Sequence, residues 1–85
     1  MPNFRFGKFT IQIGAFQTLN NAFGLKKAMS QEYGTILIEP FLNRDRGYYR
    51  VQVGTFRDLI KALGQVEHLK QQGFEEAFVV AMEDE

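Results

Sequence analysis

Residues 9–16 read FTIQIGAF and residues 49–56 read YRVQVGTF, and these two stretches decide the fold. Both follow the order aromatic, any residue, β-branched, Gln, β-branched, Gly, small, Phe. The same offset relates further identical pairs: Leu19 and Leu59, Ala22 and Ala62, Gly24 and Gly64, and Gln31 and Gln71. The chain is therefore predicted to consist of two copies of one structural unit.

Each copy begins with strictly alternating side chains, which indicates a β-strand with one buried face. In the first copy Ile11 and Ile13 face one side and Gln12 the other; residues 49–53 repeat the pattern. Gly14 and Gly54 are expected to close the two strands, because a missing Cβ permits a sharp turn.

A helix is predicted after each strand. Thr18 and Asp58 occupy equivalent positions, and both residue types cap a helix N-terminus by accepting a backbone N–H bond. Apolar residues then recur at helical spacing, and the predicted stripes contain Leu19, Ala22, Phe23 and Met29 in the first copy and Leu59, Ala62, Leu63, Val66 and Leu69 in the second. Gly34 and Gly73 are expected to end the helices.

β-rich segments at 35–39 and 76–82 complete a βαβ-βαβ order, with a hairpin loop at 43–47 between the copies. The predicted fold class is α+β: the βαββαβ split, ferredoxin-like arrangement of a four-stranded antiparallel sheet. Its first and third strands lie at the centre, both helices cover one face, and the other face is open. The domain is expected to span 8–82, with an N-terminal extension at 1–7 and an acidic end at 83–85.

Composition narrows the function classes. The chain has 85 residues, 45% of them apolar, no Cys, and ten basic against ten acidic residues. One domain is expected at this length, and neutrality argues against nucleic acid as a partner. The longest apolar stretch, 77–82, is too short to insert in a membrane. Residues 1–5 are not followed by the apolar stretch of a signal peptide, so for function outside the cytoplasm we expect a longer exported precursor.

Catalysis finds little support in the sequence. Ser30 and His68 are predicted on different helices, and the chain has one Ser and one His. Glu75 and Glu76 are neighbours that would point to opposite sides of a strand, which makes a poor acid/base couple. No cluster has metal-ligand spacing. We expect no enzyme activity, no metal and no cofactor.

The paired motif at 11–16 and 49–56, each copy followed by an Ala-bearing helix, resembles the SPOR (sporulation-related repeat) domain over residues 8–82. The resemblance implies a βαββαβ module that binds peptidoglycan glycan strands stripped of stem peptides and so targets a parent envelope protein to the division septum. It implies a bacterial periplasmic or cell-envelope location. We expect a monomeric domain of a longer chain.

Strand parity places Gln12, Tyr48, Arg50 and Gln52 on the open face. The resemblance points to Gln12, Tyr48 and Arg50 as well, and adds two positions. Ala15 stands where the family often has Ser. Phe78 matches an apolar residue of the family's fourth strand. Because both faces of this strand are apolar, alternation does not decide which face Phe78 lies on. The predicted glycan-binding residues are Gln12, Ala15, Tyr48, Arg50, Gln52 and Phe78. Sugar rings need a flat apolar platform, which Tyr48 supplies, together with polar groups for hydroxyls and acetamides.

Two other classes share this topology. An RNA-binding RRM would carry a basic-Gly-aromatic signature on its third strand, which residues 50–53 do not match. A ferredoxin-like protein-docking or small-molecule regulatory domain would place its ligand at a subunit interface or on helical loops. Topology alone does not separate it from a glycan-binding module, because fold does not fix function.

Overall fold

The computed structural model describes residues 5–82. Six elements follow one another along the chain: β1 (Phe6–Phe16), α1 (Leu19–Met29), β2 (Ile36–Asn43), β3 (Arg46–Asp58), α2 (Leu59–Gln71) and β4 (Phe78–Ala81). The sheet order is β2-β3-β1-β4, with every neighbouring pair antiparallel. The predicted α+β fold and the central position of β1 and β3 are confirmed.

The core lies between the sheet and one layer of two helices. Ile11, Val51 and Leu69 are fully buried, and α1 and α2 contribute to the same apolar cluster as the strands. α1 packs on β1, β2 and β3, whereas α2 packs on β1, β3 and β4. Because both helices share one cluster, the opposite sheet surface carries no helix.

The internal repeat becomes an approximate twofold axis in the fold. Gln12 and Gln52 occupy equivalent positions in the two copies and are direct partners across β1 and β3. The pseudo-axis therefore passes between these two side chains, at the centre of the sheet.

Both glycines predicted to close strands lie inside them, so that prediction is wrong. β1 continues past Gly14 to Phe16, and β3 continues past Gly54 to Asp58. The pairing register slips beside each glycine, and Gly54 has φ 75°. Each glycine marks a β-bulge, a local irregularity that bends a strand without ending it.

The helix starts follow the sequence prediction, but only one helix end does. The Asn21 N–H donates to Thr18 Oγ1 (3.4 Å), and the Ile60 N–H donates to Asp58 Oδ1 (2.9 Å). Gly73 (φ 108°) ends α2, with the Phe74 N–H donating to the Leu69 carbonyl (3.0 Å), a Schellman-type closure.

α1 instead ends at Met29 with Ser30 as its C-cap, so the prediction of Gly34 is wrong. The N–H groups of Glu32 and Tyr33 both donate to the Met29 carbonyl (3.0 Å each), which closes the last turn without a residue at positive φ.

The apolar stripes are only partly covered. Ala22, Val66 and Leu69 are buried as predicted. Leu19, Phe23 and Leu63, which were expected on the same stripes, remain about half exposed.

β2 is longer than the predicted 35–39 segment. It runs through Pro40, which an edge strand tolerates. It then reaches a two-residue turn in which Arg44 has φ 57°.

The predicted domain limits fall near the ends of the described chain. β1 starts at Phe6, inside the predicted N-terminal extension at 1–7. Residues 1–4 of that segment and the acidic end 83–85 lie outside the described residues.

Candidate functional site

The helix-free surface of the sheet, called the open face below, is organised in rows that cross the strands. Residues paired directly across neighbouring strands project to the same side of a sheet. Gln12 pairs with Gln52 on one side and Phe78 on the other, and Gln52 pairs with Leu37. These four side chains form one row from β2 to β4, and the facing of Phe78, which parity left undecided, is toward the open face.

A bulge in β1 brings Ala15 to the same surface. Gln12 pairs with Gln52 but Gly14 pairs with Val51, so one extra residue of β1 is accommodated between them. Ala15 then pairs with Arg50. Strict alternation from Gln12 would have turned Ala15 toward the helices, whereas the bulge moves it to the open face beside Arg50.

Arg50 lies against an aromatic ring that is not among the predicted site residues. Its guanidinium carbon is 3.7 Å from the centroid of the Phe41 ring. Phe41 belongs to β2 and pairs with Tyr48, while Arg50 pairs with Glu39. The open face therefore carries two aromatic side chains and one guanidinium at the β2–β3 end.

The sequence contains enough information to place Phe41 on β2. Pro40 instead suggested that this strand ended before Phe41. Counting back from a two-residue turn at Arg44 and Asp45 pairs Asn43 with Arg46 and therefore Phe41 with Tyr48. A tight-turn assumption for the predicted hairpin loop would have placed Phe41 on the open face.

The predicted residues differ in accessibility. Tyr48, Arg50 and Gln12 are half-buried, and Phe78 is 50% exposed. Gln52 is only 4% exposed although it lies on the open face between Gln12 and Leu37. Gln52 therefore belongs to the floor of the surface.

The surface is shallow rather than enclosed. A depression of about 330 Å³ is lined by Glu39, Arg50, Gln52, Val80, Ala81 and Met82. A second depression, beside Tyr48 at the hairpin, contains Arg44 and Arg46. A long ligand lying across the strands fits this shape better than a small molecule that must be surrounded.

Ser30 and His68, the polar residues considered for catalysis, each contact a residue three or four positions away in the chain, at the end of a helix. The Ser30 hydroxyl donates to the Lys27 carbonyl (3.0 Å), and His68 Nε2 lies 3.1 Å from Gln72 Nε2. Within residues 5–82, no group of three His, Cys, Asp or Glu side chains could hold a metal ion. In this same part of the chain no helix is long and apolar enough to cross a membrane.

Comparison with known proteins assigns the family. The model of the SPOR domain family matches residues 6–81. The chain belongs to the SPOR family. Its match begins and ends with the sheet itself, since β1 starts at Phe6 and β4 ends at Ala81.

This SPOR domain is also similar to a solved structure. The solution structure of the peptidoglycan binding domain of the B. subtilis cell wall lytic enzyme CwlC superimposes with a TM-score of 0.66 at 26% identity. The alignment covers 98% of this chain and 99% of that chain. No curated protein matches the sequence.

Proposed function

We propose that this SPOR domain is a non-catalytic module that binds peptidoglycan glycan strands, preferably strands without stem peptides, on its open face. It would thereby direct a longer envelope protein to the septum. The observation that carries the proposal is the row of Gln12 and Phe78 next to Arg50, Ala15 and Tyr48 on one helix-free surface. The peptidoglycan-binding domain of CwlC, which shares the fold, supports the same ligand class.

The open face offers the two kinds of contact that a glycan requires. Tyr48 and the half-exposed Phe78 present aromatic rings to the apolar faces of sugars. Gln12 provides a donor and an acceptor, and Arg50 provides several donors. Each hydrogen bond contributes only about 1 kcal/mol net against water. We therefore expect an affinity on the order of micromolar.

Absence of stem peptides would matter because the surface is broad and shallow. A strand must lie close to the sheet to reach Gln12 in the central row. Peptides projecting from alternate sugars would hold the strand away from the sheet. Removal of the peptides would permit contact along several sugars.

The proposal is tested by pulldown of the purified chain on intact sacculi, with and without prior amidase treatment. We expect binding to rise after the treatment. Arg50→Ala and Tyr48→Ala should each lower it at least roughly tenfold, about 1.4 kcal/mol. Both variants should keep the melting temperature nearly unchanged, because neither side chain belongs to the buried cluster.

Two variants on the helix layer serve as matched controls. Lys70→Ala removes one positive charge from α2, and Phe23→Ala removes a half-exposed aromatic ring from α1. Neither should change binding. Failure of the wild type to bind either sacculus preparation, or equal losses in the control variants, would refute the proposal.

A further inference from the structure

Arg50 has an acidic neighbour in the sheet but forms no ion pair with it. Glu39 is its direct partner across β2 and β3, yet among residues 5–82 no carboxylate oxygen lies within 4.0 Å of the Arg50 side-chain nitrogens. The guanidinium lies instead over the Phe41 ring, 3.7 Å from its centroid. At this distance one flat side of the guanidinium is covered by the ring.

The stacked arrangement determines what the guanidinium can bind. A ring above the planar group occupies a face, whereas the N–H donors project in the plane from its edges. Stacking on an aromatic ring also restricts the long side chain, so less entropy is lost on binding. A carboxylate is the planar acceptor that matches two parallel N–H groups.

The proposed ligand acquires such a carboxylate when it loses its peptides. An amidase adds water across the amide that joins the peptide to the lactyl group of the sugar. The products are a carboxylate on the glycan and an amine on the peptide. A peptide-bearing sugar carries a neutral amide at the same position.

Resting on the glycan-binding function proposed above, we infer that Arg50, held by Phe41, receives the lactyl carboxylate of the peptide-free sugar. Selectivity then comes from a charge gained on the ligand as well as from the removed obstacle. Phe41 is a positioning residue that aligns the guanidinium, and Glu39 opposes the approach of a second negative charge.

The first test compares two preparations of denuded glycan strands. In one the lactyl carboxylates are free, and in the other they are coupled to methylamine, which restores a small neutral amide without a peptide. We expect the wild type to bind the free form roughly tenfold more tightly, and Arg50→Gln to bind both forms alike. Equal wild-type binding to the two preparations would overturn the inference while leaving glycan binding intact. Binding to neither would remove both proposals together.

The second test asks whether Phe41 acts by positioning the Arg50 guanidinium or by contacting the glycan itself. Phe41→Leu keeps an apolar side chain but removes the ring. It should weaken binding to the free-carboxylate strands several-fold more than binding to the methylamide strands. Phe78→Leu, the matched aromatic control on β4, should weaken both equally.

Glu39→Gln should strengthen binding, whereas the preceding variants weaken it. It should strengthen binding to the free-carboxylate strands by roughly twofold or more at low salt and leave the methylamide strands unaffected. Equal losses on both preparations for Phe41→Leu, or no gain for Glu39→Gln, would contradict the assigned carboxylate contact.

Discussion

Ala15 shows how one residue depends on backbone geometry for its role. Its side chain lies on the open face only because β1 carries an extra residue between Gln12 and Gly14. Its partner across the strand is Arg50. A hydroxyl at this position would stand beside the guanidinium, where it could bond a sugar.

Ala15→Ser is therefore expected to raise the affinity for denuded strands about threefold, because one net hydrogen bond contributes about 0.5–1.5 kcal/mol. Binding isotherms on amidase-treated sacculi measure the change. Ala28→Ser, on the exposed side of α1, introduces the same hydroxyl away from the open face and should have no effect. An unchanged affinity for Ala15→Ser would show that the hydroxyl is not within reach of the ligand.

Phe41 is a residue of the open face that strand alternation did not predict. Gln12, Tyr48 and Arg50 could be assigned to one face because strand alternation is a local property. The stacking of Arg50 on Phe41 joins two strands and depends on the register of the hairpin. The burial of Gln52 likewise depends on its neighbours, and alternation alone carries no information about crowding.

Within the strands, glycine has a role that differs from the one predicted. At Gly54 the backbone adopts φ 75°, and a Cβ would lie 2.9 Å from Phe56 Cε2. β3 gains one residue relative to β1 near this point, since Phe9 pairs with Phe56 but Ile11 pairs with Val53. The Thr10 hydroxyl donates to the Gly54 carbonyl (2.7 Å), so the irregular backbone remains satisfied.

Gly54→Ala should destabilise the fold by about 2 kcal/mol, since a left-handed backbone disfavours a side chain. Gly64→Ala is the matched variant, because Gly64 lies in α2 and a Cβ there would meet nothing within 4 Å. It should stabilise the fold by about 0.5–1 kcal/mol. Urea unfolding measures both; a stable Gly54→Ala variant would show that the bulge can be rebuilt.

On the scale of the whole molecule, the first strand is fastened to the second repeat. Arg5 Nε lies 3.2 Å from Asp58 Oδ1, and Arg5 Nη2 lies 3.3 Å from Asp58 Oδ2. The Leu59 N–H also donates to the Arg5 carbonyl (2.7 Å). Asp58 thus caps α2 and joins that helix to the start of β1. The helix ends are joined as well, since the Tyr33 hydroxyl donates to Gln72 Oε1 (2.6 Å).

The contribution of the Arg5–Asp58 pair to stability should depend on pH. Mainly through its hydrogen bonds to Arg5, the pKa of Asp58 is held below its ordinary value of 3.8, against an opposing effect of burial. A carboxyl whose pKa is lower in the folded state stabilises the fold fully above its unfolded pKa of about 4 and loses that effect as the pH falls through the folded value. The midpoint of urea unfolding should therefore decrease as the pH falls below about 4.

Asp58→Asn should show a smaller decrease over that range, because Asn still caps the helix but carries no charge. Asp45→Asn, at the hairpin turn, is the matched control, since Asp45 forms no ion pair among residues 5–82. It should reproduce the wild-type pH dependence. Identical acid sensitivity of wild type and Asp58→Asn would contradict a contribution from the Arg5–Asp58 pair.

The sequence by itself determined the repeat, the order of elements, the helix caps at Thr18 and Asp58, and the open face with Gln12, Tyr48 and Arg50. These features follow from side-chain periodicity and local hydrogen bonding, which neighbouring residues encode. Only the tertiary structure decided the bulge that turns Ala15 outward, the facing of Phe78, the burial of Gln52 and the contact between Phe41 and Arg50. Each of these depends on the register between strands distant in the chain, and register is fixed by how the whole sheet packs on its helices.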